Sequence, residues 1–270
     1  MPARRMPRSS ASNFGEPADL QAALGADSFA LLGNGPFRAR LIHVALKIVY
    51  LTVCHEEQPC CAFFKVPDDG VLIALPIGNG PWPVWSGMSM RQGELITFGP
   101  RERLHVRSSG GCRWGMVRFS AQHLSQYGHA LTGTHVELPA VGRWTPSGVT
   151  LRNLLSLHRA AIRAAESKSG LVVKPAAAHR LEQQLIHALV ECLAARPPEL
   201  ETLTQRRHRD LLARFEDVLS AEPALRIKDI CETLGTSTST LRACSWKRLG
   251  MSPGPYRRLR LRRTPRVSPE

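Results

Sequence analysis

Residues 231–242 read CETLGTSTSTLR: a glycine followed by five consecutive hydroxyl residues, between two stretches of helical pattern. Either this is a polar linker, or Gly235 is the corner between two short helices and the hydroxyl run opens the second. A helix-turn-helix corner needs a small residue where the helices meet. Four residues later it needs glycine, because the turn uses a left-handed backbone that other residues adopt only with strain. Cys231 and Gly235 have that spacing. Ile230 and Leu234 supply the first helix's apolar face, and Leu241 and Cys244 anchor the second. Leu241, Cys244, Trp246 and Leu249 continue an ordered pattern directly after the hydroxyls, which a linker would not do.

In this reading Ser237 is the N-cap of the second helix, accepting from backbone N–H groups of its first turn. Thr238, Ser239 and Arg242 face outward at the end that approaches base edges in the major groove, where Arg242 can take guanine bidentately. Thr240 and Lys247 are candidate phosphate partners. For any single hydroxyl here, capping or plain solvation is the alternative. Trp246 is either a core plug or a residue lying against the sugar-phosphate backbone.

Charge distribution points the same way. The formal net charge is +14, and from Leu241 to Glu270 nine basic residues face one acidic residue. Such a concentration suggests a polyanion, nucleic acid first and an acidic membrane surface second; a solvated basic tail is the alternative. Lys247, Arg248, Arg257, Arg258 and Arg260 are the candidate phosphate neighbours. Five neutralised phosphates give a salt slope of about −4 to −5 in log K.

The rest of the chain divides by period. The expected architecture is α+β: an N-terminal cupin-like antiparallel β domain with a helical connector, then an all-α helix-turn-helix domain. Residues 1–35 read as an N-terminal arm, whose opening MPARRMPRSSASNFG is expected to be disordered or loosely held. From Phe37 to Phe119 short apolar runs such as VLIALPI, ELITFG and WGMVRFS alternate with Gly/Pro turns, so residues 36–135 are assigned to the β domain. A short helix follows, SAQHLSQYGHALTG, closed by Gly133. Two longer ones, carrying Leu151, Leu154, His158 and Ile162, then Leu185, Leu189, Cys192 and Leu193 at helical spacing, make residues 136–198 a connector. Two prolines in RPPEL mark the boundary, and residues 199–270 form the DNA-binding domain.

Other chemistries find little support. Seven cysteines, an odd number with no C-x-x-C pair, suit a reducing cytoplasm. Cys54, His55, Cys60 and Cys61 are metal-ligand types, but adjacent Cys60 and Cys61 would point to opposite faces of a strand, so no metal site is assigned. His43, His55 and His105 stand apart, with no H-x-H pair, and no nucleophile-elbow, zincin or phosphate-loop motif occurs, so no catalytic residue or cofactor is assigned. No apolar run approaches the ~20 residues of a membrane span, and the basic start lacks the apolar core of a secretory signal. Trp82 and Trp85 in PWPVWSG are either packing residues or the wall of a ligand pocket.

Residues 208–263, with DIC, LG, TLR and above all LGMSPGPYRRLRLRR, resemble the DNA-binding domain of the AraC/XylS family of bacterial transcription regulators. More loosely, FRARLIHVAL, WGMVRFS and YGHALTG are similar to the N-terminal portion of some members. The resemblance implies a cytoplasmic regulator of the activator-containing class that binds double-stranded DNA, with an N-terminal domain that takes a small-molecule effector or makes a homodimer. It leaves the sign of regulation open. Two departures stand out. Ser245 and Trp246 occupy the place where the family usually has an aromatic residue near position 245. The family domain also holds two helix-turn-helix units joined by a linker helix, whereas here TPRVSPE, with Pro265 and Pro269, follows the first, so the expectation is a truncated domain lacking the second unit. The alternative function is a sensing or dimerising cupin-like protein that has lost productive DNA binding.

Overall fold

A computed structural model describes residues 7–167 and 175–261. The chain is α+β, with an N-terminal antiparallel β domain and a C-terminal helical domain. Its elements begin with β1 (Arg8–Phe14), α1 (Pro17–Leu24), β2 (Ser28–Leu31), β3 (Ala39–Ala45), β4 (Tyr50–Glu56), β5 (Pro59–Lys65) and β6 (Gly70–Leu75). The short β7 (Val84–Trp85) and β8 (Met88–Ser89) precede β9 (Leu95–Phe98), β10 (Arg103–Ser109), β11 (Cys112–Ser120), α2 (Ala121–Thr132) and β12 (Val141–Trp144). Then come α3 (Gly148–Glu166), α4 (Pro175–Ala194), β13 (Glu199–Leu200), α5 (Leu203–Ala221), α6 (Ile227–Leu234), α7 (Thr238–Leu249) and α8 (Pro253–Leu261).

Two sheets face each other. The larger runs β1-β3-β4-β11-β6-β9-β12-β13 and the smaller β2-β5-β10-β7-β8. The period of two along β11 explains how one strand serves two cores. Cys112, Trp114 and Met116 point into the layer between the sheets, whereas Val117 and Phe119 point the other way, under α2, α3 and α4. The same holds for β6: Leu72 and Ala74 face the smaller sheet, while Val71, Ile73 and Leu75 face the helices. A strand covered on both faces has no solvent side, which is why VLIAL reads as an unbroken apolar run.

The helical connector therefore packs on the β domain's outer face. Leu151, Leu154 and Ile162 of α3 and Leu185, Leu189, Cys192 and Leu193 of α4 join the sheet residues in one core. Glu182, buried on α4, accepts from the Ile48 and Val49 N–H groups at 2.7 and 3.3 Å, satisfying the turn between β3 and β4.

The start of the chain departs from the expected loose arm. Residues 8–14 pair with β3 through seven consecutive residues, from Arg8 opposite Ala45 to Phe14 opposite Ala39. A strand at a sheet edge is held by its backbone ladder, so the polar sequence RSSASNF suffices and gives no apolar signal. At the domain boundary, Glu199–Leu200 pair with β12 before α5 begins at Leu203. Cys60 and Cys61 lie on opposite faces of β5, the first in the inter-sheet core and the second beneath the helical domain. Pro265 and Pro269 and the basic residues 262, 263 and 266 lie outside the described residues.

Candidate nucleic-acid interface

The corner forms as its residues require. α6 ends at Leu234 and Gly235 takes φ 63° and ψ 37°. The Thr236 N–H then donates back to the Cys231 carbonyl at 3.0 Å, closing the helix end. α7 restarts three residues later with Ser237 as N-cap, its Oγ accepting from the Thr240 N–H at 3.0 Å. Ile230, Cys231, Leu234, Leu241, Cys244 and Leu249 are buried together with Leu212, Phe215 and Leu219 of α5 and Tyr256 of α8.

The N-terminal end of α7 is open to solvent. Thr238, Ser239, Thr240 and Arg242 are exposed, and so is Lys247 further along. The hydroxyls are not equivalent. Ser237 Oγ lies 2.8 Å from both Ser239 Oγ and Thr240 Oγ1, so these three form one capping cluster. Thr238 stands outside that cluster.

Trp246 is not a core plug. It is 56% exposed, while Ser245 is fully buried with its hydroxyl unpartnered, and Tyr256 from α8 fills the interior beside Phe215. The register of α7 explains the exchange: Leu241, Cys244, Ser245 and Leu249 share the inner face, and position 246 turns outward.

Three of the expected phosphate neighbours are engaged within the protein. The Arg248 side chain is 9% exposed, donating to the Glu201 carboxylate, to the Gln205 carbonyl at 2.9 Å and to the Ser86 carbonyl at 3.4 Å. Arg260 donates to Ser28 Oγ at 2.7 Å and lies over the Phe63 ring, 5.2 Å from its centroid. Arg257 donates to the Pro223 carbonyl at 2.7 Å. Docking accounts for two of the three: the α7–α8 end of the helical domain sits on the β domain, where the Ser86 carbonyl holds Arg248 and the Ser28 hydroxyl and Phe63 ring hold Arg260, while Arg257 is held within the helical domain itself. Lys247 and Arg258 remain exposed.

Sequence spacing gave no sign of the contact that organises this docking. His105 of β10, expected to be an isolated histidine, is buried with Nε2 2.6 Å from Glu216 Oε1 of α5, and the Tyr256 hydroxyl donates to the same oxygen. Burial pushes the Glu216 carboxyl up, but the His105 charge and the hydrogen bonds from His105 and Tyr256 outweigh it and hold the group down at about 2. Around this centre Arg103 pairs with Asp217 at 2.6 Å, and Arg209 with Glu201 at 2.7 Å. His105 and Glu216, like Arg103 and Asp217, are separated by more than a hundred residues, so no local pattern could expose them.

The other sequence-derived candidates have structural settings. His43 is satisfied by Thr52 Oγ1 and the Ala23 carbonyl, both at 3.0 Å. Trp85 is fully buried edge-on to Trp114, whereas Trp82 lines a cavity beneath α3. Among the described residues no cluster of three or more His, Cys, Asp or Glu is arranged to hold a metal, and no helix is long and apolar enough to cross a membrane.

No protein-family model and no curated protein matches the chain. Among solved structures it is similar to the AraC-like transcriptional activator CuxR, at 15% identity over 94% of each chain with a TM-score of 0.46. It is also similar to ToxT from Vibrio cholerae with a bound unsaturated fatty acid, at 13% identity over 78% of this chain and 76% of that one, TM-score 0.34. A second ToxT structure, from strain O395, gives 12% identity over the same shares with a TM-score of 0.29. Likeness at this level transfers neither family nor function.

Proposed function

We propose that the protein is a DNA-binding transcription regulator of AraC/XylS type that reads duplex sequence with α7. The observation that carries this is the corner itself: a left-handed glycine at 235 that sets α7 apart from α6 and leaves the end bearing Thr238 and Arg242 in solvent. Arg242 and Thr238 read base edges, with Ser239 beside them. Ser237 holds the helix end, and Thr240, Lys247 and Arg258 meet phosphates. Arg248, Arg257 and Arg260 join them only in an arrangement that releases their present partners. The test is selection from a random duplex library with the full chain, followed by anisotropy titration. A recovered motif whose binding Arg242→Ala weakens supports the reading; recovery of no motif overturns it.

A second reading is favoured by the engagement of Arg248 and Arg260 with the β domain: the chain serves as a small-molecule sensor whose DNA contacts are held back. It requires a ligand site in the β domain, and the cavity that Trp82 lines is the candidate. Homodimerisation would double the reading surface, and is tested by sedimentation with and without DNA.

A further inference from the structure

Between the outer face of the larger sheet and α3 lies a cavity of about 660 Å³, within the range of small-molecule sites. Gly115 of β11 lets two of its lining residues pack close to the sheet: a Cβ there would stand 3.1 Å from Ile77 Cδ1 and 3.4 Å from His158 Cε1 and would displace them. The floor is apolar, with Val53, Ile77, Trp82, Leu151 and Leu155 among its residues.

The rim is cationic. Arg113 of β11 and Arg152, Arg159 and Arg163 of α3 all line the cavity, against a single carboxylate, Glu166, which is paired with Arg40 at 2.9 Å. Among the described residues the guanidinium groups of Arg113, Arg152 and Arg163 have no hydrogen bond or ion pair. Positions 152, 159 and 163 fall on one face of α3, so the helix presents its cations together. Between them lies His158, 1% exposed, with Nε2 unpartnered. Burial and the nearby Arg113 and Arg159 charges push its imidazole down to about 4, so near neutral pH it is a neutral polar group, able to donate or accept.

The geometry points to a binding site for a small organic anion: an apolar body seated against Trp82 and the floor, with a carboxylate or phosphate head held by the arginine forks. Planar guanidiniums bind such heads bidentately, and the apolar floor gives the body a dry contact. Buried His158 Nε2 offers one directed bond to a polar atom on the ligand. This inference deepens the sensing reading and rests on it; it does not depend on the reading of α7.

The test uses three probes with one body and different heads: 4-phenylbutyrate, 4-phenylbutanol and 4-phenylbutylamine, with inorganic phosphate as head alone. Calorimetry on the full chain is expected to show the carboxylate binding about tenfold or more tighter than the alcohol, the amine not at all, and phosphate only weakly. Arg113→Gln with Arg163→Gln, both exposed side chains, is expected to erase the preference of carboxylate over alcohol. Gly115→Val should weaken both body-bearing probes. If that variant fails to fold, Leu155→Trp, at the half-buried wall, reads the same thing. Equal binding of all three heads overturns the anion class while leaving a ligand cavity. Phosphate binding as tightly as the carboxylate overturns the apolar subsite. Failure of every probe to bind overturns the inference and the sensing role of this cavity together.

Discussion

His105 Nε2 on β10 and Glu216 Oε1 on α5 meet at 2.6 Å, each side chain less than a tenth exposed, and they belong to different domains. A carboxylate out of water is held only if its partners are well placed and its remaining lone pairs are satisfied. The Tyr256 hydroxyl supplies one further bond and Arg103 Nη1, 3.9 Å from Glu216 Oε2, adds charge. Phe63 stacks edge-on to both His105 and Tyr256, with centroids 5.0 and 5.6 Å away, and shields the centre.

Removing one partner should therefore cost more than removing both. His105→Ala leaves a buried carboxylate with reduced compensation, and is expected to destabilise the chain by about 3–5 kcal/mol in urea denaturation. The double variant His105→Leu with Glu216→Leu should recover much of that loss, since two apolar side chains need no pairing. A single variant no less stable than the wild type would show that the pair contributes nothing to docking.

The same carboxylate sets a pH dependence whose sign follows from its depressed value. Glu216 sits at about 2 in the folded chain against 4.5 for an ordinary glutamate. The unfolded chain takes up the proton first as the solution is acidified. The stabilisation is therefore complete above about pH 4.5 and is lost progressively as the pH falls towards 2, by on the order of 3 kcal/mol in all. Urea midpoints between pH 5 and 3 should fall more steeply for the wild type than for Glu216→Gln. Parallel slopes would assign the acid sensitivity to other carboxylates.

Gly87, in the turn between β7 and β8, packs closely against the C-terminal end of α7. Its φ is +83°, and a Cβ would lie 2.6 Å from the Lys247 carbonyl oxygen and 2.8 Å from Arg248 Cα, both backbone atoms that cannot swing aside. Gly87→Ala is expected to lower stability by about 1–3 kcal/mol and to loosen the docking. Gly111→Ala is the control, because it shares a positive φ of +62° but meets nothing within 4 Å. Equal losses in the two variants would mean that backbone strain, not contact with α7, accounts for the effect.

What could be read from the residues was what is local. The corner at Gly235, the Ser237 cap and the apolar faces of α3 and α4 follow from spacing along one element, and the structure forms each of them. The edge strand at Arg8–Phe14 was hidden because backbone pairing needs no apolar side chains. Of the two settings open to Trp246 the core plug is the one not taken, since position 246 turns outward and Tyr256, ten residues on, fills the interior. The contacts of Arg248 with the Ser86 carbonyl and of Arg260 with Ser28 arise from docking of two domains, and counting charge along the tail could not anticipate them. The arginines of α3 did carry a signal, the helical spacing of 152, 159 and 163, but it acquires meaning only once they are seen to line one cavity with Arg113 of β11 and the apolar Trp82 and Ile77.

Arg242 and Arg248 occupy one helix and should behave in opposite ways. Arg242 is exposed and its guanidinium has no hydrogen bond or ion pair among the described residues, so Arg242→Ala should remove one base contact and weaken binding to a selected duplex by about 1–3 kcal/mol, relaxing discrimination at one position. Arg248 is already bound to Glu201 and to the Ser86 carbonyl, so Arg248→Ala should leave affinity for the selected duplex unchanged or raise it, while reducing thermal stability. Salt dependence separates the two arrangements. With only Lys247 and Arg258 near phosphates, the slope of log K against log salt should be about −2; release of Arg248, Arg257 and Arg260 would steepen it to about −4 to −5. Anisotropy titrations at several salt concentrations measure the slope directly. A wild-type slope of the steeper size, together with a large loss in Arg248→Ala, would mean that the docked arrangement is not the one that meets DNA.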